Sequence, residues 1–271
     1  MTSGKLFALA LAAAFVFPAA AQFPAPPLES LKGVALSPER LPDGRPNLTG
    51  FWVPPGGLLD VYRGPSGVTG LPVGPNNVPT MRRDIPEMKS PYKEQYEQRV
   101  AKAAAAELRD SAALCLPPGM PAMMGAIYGI EILQTPNITA ITSEWQAFTR
   151  RIWMDQKAHP PAEELDDTYA GHSIGHWEGD TLVVDTVGIR EDVPLDRSRI
   201  PHSPKVRLVE RFTQFSPGVL VNEITIEDPE VFVTPWKYRY VYIYKPALRL
   251  REYVCLENNR NVGSDGKAVF E

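Results

Sequence analysis

The second half of the chain is written in short β segments, and no other feature limits its fold as strongly. The stretches 127–134, 138–143, 146–154, 172–177, 181–186, 206–215, 219–227, 238–244 and 248–256 are rich in β-branched and aromatic residues. Each is about six to ten residues long and is set off by turn residues, as strands are. Helical patterns do not alternate with them, which disfavours a parallel α/β fold. Eight or nine antiparallel strands of this kind close into a barrel or pack as a two-sheet sandwich. The expected class is therefore mainly β, an antiparallel β-barrel or sandwich. A 271-residue chain that is 44% hydrophobic has enough apolar side chain for a real core.

The first half reads differently. In residues 1–21, Lys5 precedes an apolar run that ends at Pro18 and Ala19-Ala20-Ala21, the pattern of a cleaved signal peptide. Export to the periplasm or secretion follows, with no membrane segment expected after cleavage. Of the 28 prolines, half lie between Pro24 and Pro91, so 22–90 is a Pro/Gly-rich lead expected to wrap the domain as extended coil. Ser90-Pro91 then opens one helix, with Ser at the N-cap and Pro at N1, and the pattern carries it to about residue 113. Residues 91–271 thus form the helix plus the antiparallel β domain. A net charge of −4 argues against nucleic acid, and nothing in the pattern sets an oligomeric state. After export, Cys115 and Cys255 meet an oxidising compartment, which favours one disulfide over two buried thiols.

The most informative chemistry lies in 172–187. Gly179-Asp180 suits a two-residue type II′ turn. That register pairs Glu178 with Thr181, His176 with Val183, Ile174 with Asp185 and His172 with Val187. One face then carries Ser173, Gly175, Trp177, Leu182, Val184 and Thr186, a packing surface. The other carries His172, His176, Glu178 and Asp185, with Asp185 diagonal to both histidines and within side-chain reach. This set suits general acid–base work with His172 or His176 as acid–base and Asp185 orienting. It also suits a divalent metal, or simply a solvated polar face. His159 and His202 sit in proline-framed loops able to reach the hairpin. Gly171-His172-Ser173-Ile174-Gly175 matches the nucleophile-elbow spacing, but a hairpin follows where that motif needs a helix.

In 237–244, Tyr238, Tyr240, Tyr242 and Tyr244 share one face. They read either as an aromatic wall for a flat ligand or as a ladder stabilising the sheet. With Trp177 and His202 they make the candidate ligand-binding set. No organic cofactor signature is present.

The run Gly171-His172-Ser173-Ile174-Gly175-His176-Trp177-Glu178-Gly179-Asp180-Thr181-Leu182-Val183-Val184-Asp185-Thr186-Val187-Gly188 resembles the central signature of a large, uncharacterised family of exported bacterial β-rich proteins. Cys115-Leu116-Pro117, Pro201-His202-Ser203, Glu210-Arg211-Phe212, Pro235-Trp236 and Glu257-Asn258-Asn259-Arg260 extend that resemblance over about residues 45–260. It implies export and a β-rich fold and brings no activity with it. Gly50-Phe51-Trp52 is similar to the G-x-W opening of lipocalin-type barrels, which adds a lipocalin-like barrel to the expected folds. Two functions follow. One is an exported barrel that binds a small aromatic or apolar molecule. The alternative is a periplasmic hydrolase, lyase or isomerase that uses the His/Asp or metal site in the same pocket.

Overall fold

A computed structural model describes residues 40–54, 85–105, 114–125, 128–196 and 199–255. The expected signal peptide, 22–39 and 55–84 of the lead, and helix positions 106–113 lie outside the described residues. Nine strands close into one barrel: β1 (Gly50–Val53), β2 (Ile130–Gln134), β3 (Ile138–Ser143), β4 (Thr149–Trp153), β5 (His172–Glu178), β6 (Thr181–Val187), β7 (Arg207–Ser216), β8 (Val219–Glu227) and β9 (Trp236–Tyr244). One helix, α1 (Tyr92–Ala104), accompanies them.

Two expectations need correction. The barrel is mixed rather than antiparallel throughout, because β4 and β5 run parallel, with Ile152 beside Ser173 and Trp153 beside Ile174. A tight turn cannot make a parallel pair. The stretch 154–171, with Pro160-Pro161 and a 3-10 turn at Ala162–Glu164, is long enough to carry the chain back to its starting end. Residues 248–255, for their part, form no strand. β1 takes the closing place instead, pairing β9 through Trp52–Tyr244 and Val53–Ile243. Gly50–Val53 of the proline-rich lead therefore supplies a stave of the barrel.

The hairpin β5–β6 has the register its turn demands, from Glu178–Thr181 to His172–Val187. Gly179 takes φ +58° at the first turn position, while Asp180 keeps a negative φ, as type II′ requires. Ser90 Oγ lies 2.6 Å from Glu94 Oε1 instead of capping a backbone N–H. α1 is described from Tyr92 to Ala104 and buries Tyr96 and Val100 against the core.

Alternation along each strand decides what faces inward. Trp52, Ile130, Ile132, Ile141, Ile152, Leu182, Val184, Leu208, Phe212, Leu220, Ile224, Ile226, Trp236 and Tyr242 form one buried cluster. Met120, Met123 and Met124 fill it further, and the Tyr242 hydroxyl donates to the Met124 carbonyl at 2.5 Å. Gly125 has no Cβ because one there would overlap the Tyr240 hydroxyl.

Charged groups are buried among these side chains. The Arg150 guanidinium donates to Glu210 Oε2 at 2.6 Å, Ser173 Oγ at 3.1 Å and Thr186 Oγ1 at 3.2 Å. Asn222 Nδ2 donates to the other Glu210 oxygen at 2.8 Å. Both charged side chains are fully buried. Their sequence phase explains this: Arg150 alternates with Ile152, and Glu210 with Leu208 and Phe212, so all share the inward face.

Cys115 and Cys255 form a disulfide, with Cα atoms 5.7 Å apart and a sequence separation of 140. Closing so long a loop limits the unfolded chain. The Cys115→Ser/Cys255→Ser double variant should lose about 2–5 kcal/mol of unfolding free energy; an unchanged urea midpoint would exclude that role. Arg150→Met strands the Glu210 carboxylate in the core and should cost about 3–5 kcal/mol, whereas Arg150→Met/Glu210→Leu should recover most of it. Urea unfolding of the three proteins checks this, and a double variant as unstable as the single one would refute it.

Candidate functional site

The strand directions place the β2–β3 turn, the β5–β6 turn and the end of β4 at one mouth of the barrel. There the chain before β1 folds over the opening. Leu41 N–H donates to the Arg45 carbonyl and Gly44 N–H to the Leu41 carbonyl, which makes a compact turn. Arg40 ties this turn to the hairpin through Asp180, at 2.9 and 2.5 Å. Beneath it lies a cavity of about 180 Å³ lined by Leu41, Pro42, Arg45, Thr139, Met154 and Trp177, among others. Arg45 stands 5.9 Å from the Trp177 ring centroid, and its charge is already met by Asp43 at 2.7 Å. Thr139 is only 2% exposed and lines this cavity from the inward face of β3. The mouth thus offers one aromatic face, a thioether and the aliphatic walls of Leu41, Pro42 and Pro136, with the Thr139 hydroxyl, the Gln134 amide and the Arg45–Asp43 pair at its polar side and the Thr135 hydroxyl engaged by the Ile138 backbone.

A larger depression of about 520 Å³ is lined by Arg99, Asp167, Arg190, Glu191 and Asp192. Arg190 and Asp192 neutralise one another at 2.6 Å, so the charges there largely serve each other.

The polar face of β5–β6 points outward, and its histidines part company. His176 is 63% exposed and meets Glu178 at 3.2 Å; Glu178 in turn accepts from Arg211 at 2.8 Å. The Arg211 contact, and then His176, hold the Glu178 carboxyl below its ordinary pKa. His172 instead meets His159 of the β4–β5 connection, Nδ1 to Nδ1 at 2.8 Å, with the rings edge to face. Asp185 lies 3.7 Å from His159 Nε2, beyond hydrogen-bond reach, and is held by Arg207 at 2.9 and 2.7 Å. Burial, and then the neighbouring His159, push the His172 pKa down. For His159, burial again leads, opposed by Asp185 and reinforced by Arg207, and the net shift is downward.

Of the acid–base set, His172 and Asp185 therefore meet only through His159, and His176 stands apart. The carboxylate that was to orient His172 or His176 is committed to Arg207. Asp185 and His172 also face opposite nitrogens of the His159 ring, so the three cannot converge on one ion. Among the described residues, no group of three or more His, Cys, Asp or Glu side chains is gathered as a metal site.

The tyrosines face the barrel interior. Trp236, Tyr238 and Tyr240 pack in series, tilted and then edge to face, with centroids 4.7 and 5.3 Å apart, and Tyr244 meets Trp52 at 5.1 Å. Tyr242 is fully buried, and desolvation raises its pKa well above the ordinary value. These side chains fill the core rather than line the mouth cavity. His202 is buried too, its ring nitrogens 2.9 and 2.8 Å from the Ser203 and Val193 carbonyls, where it pins the loop before β7. Of the expected ligand-binding set, the mouth keeps Trp177.

Thr139, Met154 and Arg45 escaped the sequence reading. Thr139 and Met154 carry no catalytic signature; only their place at strand ends beside Trp177 brings them to the cavity. His159 was visible as a proline-framed histidine, and its loop does reach the hairpin. No protein-family model matches the chain, and no curated protein matches it.

Proposed function

We propose that the protein is an exported binding barrel that holds one small, neutral, one- or two-ring aromatic compound at its mouth, against Trp177. The cavity carries this reading: about 180 Å³ beside an indole face, walled by Leu41, Pro42 and Met154. An apolar cavity of about 150 Å³ accommodates benzene, so about 180 Å³ admits one ring or a small bicycle such as indole and excludes a larger fused polycycle. Neutrality follows from the Arg45–Asp43 pair, which leaves no uncompensated charge for a carboxylate. Thr139 supplies the hydrogen bond that orients a phenol or indole N–H. Export belongs to the same proposal. It is supported by the signal-like residues 1–21, the resemblance of 171–188 to an exported family, and a disulfide of the kind that persists outside the cytoplasm. Among the described residues, no helix is long and apolar enough to cross a membrane.

Indole, phenol and benzoate serve as probes, followed by calorimetry and by ¹H–¹⁵N spectra. Indole and phenol should bind and shift Thr139 and Trp177, with benzoate at least tenfold weaker. Trp177→Ala should weaken indole at least tenfold, and Thr139→Val about threefold to tenfold, the range of one neutral hydrogen bond. Absence of binding by any probe at millimolar concentration, or an indifferent Trp177→Ala, would remove the reading.

A further inference from the structure

The β4–β5 connection is a strap. Because β4 and β5 are parallel, the chain leaves the barrel at the mouth after Trp153 and doubles back outside the wall to re-enter at His172, whose neighbour Ser173 pairs with Ile152. It begins at Met154, which lines the mouth cavity. Most of the strap is exposed; His159, Pro160, Leu165, Tyr169 and Ala170 are half-buried. Its far part is tied by Thr168 N–H to the Gly188 carbonyl at 3.0 Å. Its middle part is fastened by the two imidazoles, Nδ1 to Nδ1 at 2.8 Å.

We propose that this imidazole pair is a proton-operated latch: it fastens the strap at neutral pH and releases it, with the Met154 wall of the mouth, once both rings are charged. The part that concerns the mouth rests on the ligand reading above.

The proton count sets the direction. In the neutral pair each ring carries one hydrogen, and one Nδ1–H donates to the bare Nδ1 of the other. Asp185 beside His159 Nε2 favours hydrogen there, which makes His159 the acceptor and His172 the donor. One added proton goes to His172 Nε2 and leaves the bond intact. A second must take His159 Nδ1, and two N–H groups on two cations then face each other at hydrogen-bond distance. The pair cannot keep that geometry. Every charge packed around it is accounted for. Asp185 of β6 favours the second proton; Arg207 of β7 opposes it and is itself shared with Asp185 and, at 3.4 Å, with Glu227 of β8. His176 of β5 is engaged by Glu178, and the strap's own Asp155, Lys157, Glu163, Glu164, Asp166 and Asp167 are exposed. Both histidine pKa values are displaced below 6.5, so the unfastened state binds more protons. The latch's contribution is therefore complete above pH 6.5 and is lost as pH falls below it.

Amide hydrogen exchange of the ligand-free protein between pH 7.5 and 4.5, corrected for the intrinsic rate, reads the latch. The Glu164 and Thr168 amides should exchange at least tenfold faster at the acid end, while the β7–β8 ladder changes less than twofold. His159→Phe, which keeps a ring against His172 without a proton, should bring the strap's ratio close to one; His176→Gln should leave it as in the wild type. A strap that keeps its protection at pH 4.5, or a His159→Phe protein that keeps the tenfold response, would overturn the latch. Should His159→Phe fail to fold, ¹³C titration of the wild-type histidines decides: His159 and His172 must titrate together and below 6.5, and independent titration at that value overturns the proposal. Indole affinity should fall over the same pH range. No indole binding at pH 7.5 would sink the ligand reading alone, with exchange still judging the latch; indole affinity constant over a range in which the strap opens would sink the coupling to the mouth.

Discussion

Between β4 and β5 the wall of the barrel has only two paired positions, and a parallel ladder is slightly weaker per residue than an antiparallel one. The seam must therefore be held by something other than its own backbone. Arg150 does this from inside: it stands on β4 and bonds to Ser173 of β5, Thr186 of β6 and Glu210 of β7, with Asn222 of β8 completing the carboxylate's partners. Five consecutive strands around the seam are thereby joined by one side-chain network. The geometry is directional where apolar packing is not, so it also selects the register that brings all five groups together. The network carries a desolvation cost, since Arg150 Nε and Asn222 Oδ1 have no partner among the described residues. A buried pair of this kind is better understood as a specifier of the closed barrel than as a source of net stability.

The seam also sets what the outside of the barrel can do. A hairpin at this point would leave β5 antiparallel to β4 and the wall bare. The parallel crossing instead draws residues 154–171 along the outer surface and sets His159 over the polar face of β5–β6. One topological choice thus produces both the interior ion pair and the exterior imidazole pair. The two networks stand back to back across the same strands: Ser173 and Thr186 point inward to Arg150, while His172 and Asp185 point outward to His159 and Arg207.

Much of this was legible in the residues themselves. The register of β5–β6 followed from Gly179-Asp180 and strict alternation. The parallel pair was not legible, because local periodicity says where a strand is and nothing about its neighbour's direction. Nor was the fate of 248–255, whose β-like composition lost to the pairing of β1 with β9. The interior ion pair was in principle readable: Arg150 and Glu210 each occupy the inward phase of an otherwise apolar strand, with opposite charges. Adjacency to Arg151 hides it, because neighbouring strand residues face opposite ways and only Arg151 is exposed.

The tyrosines of β9 show why composition on one face does not by itself locate a binding site. Four tyrosines in phase are equally suited to hold a ligand or to replace one. Here Met124, Gly125 and Trp52 occupy the space in front of them, and the Tyr242 hydroxyl is spent on a backbone carbonyl. A barrel so filled has function left only at its ends, where strands stop and loops supply the lining. At the end opposite the mouth, α1 and the Met88–Phe232 bridge pack over the core. The mouth keeps open space because its lid is a turn, Leu41 to Arg45, tied down by exposed charges at Asp180 rather than by an apolar plug. Exposed ion pairs contribute little and exchange readily with water. A lid held in that way can yield to a ligand that the packed interior would refuse.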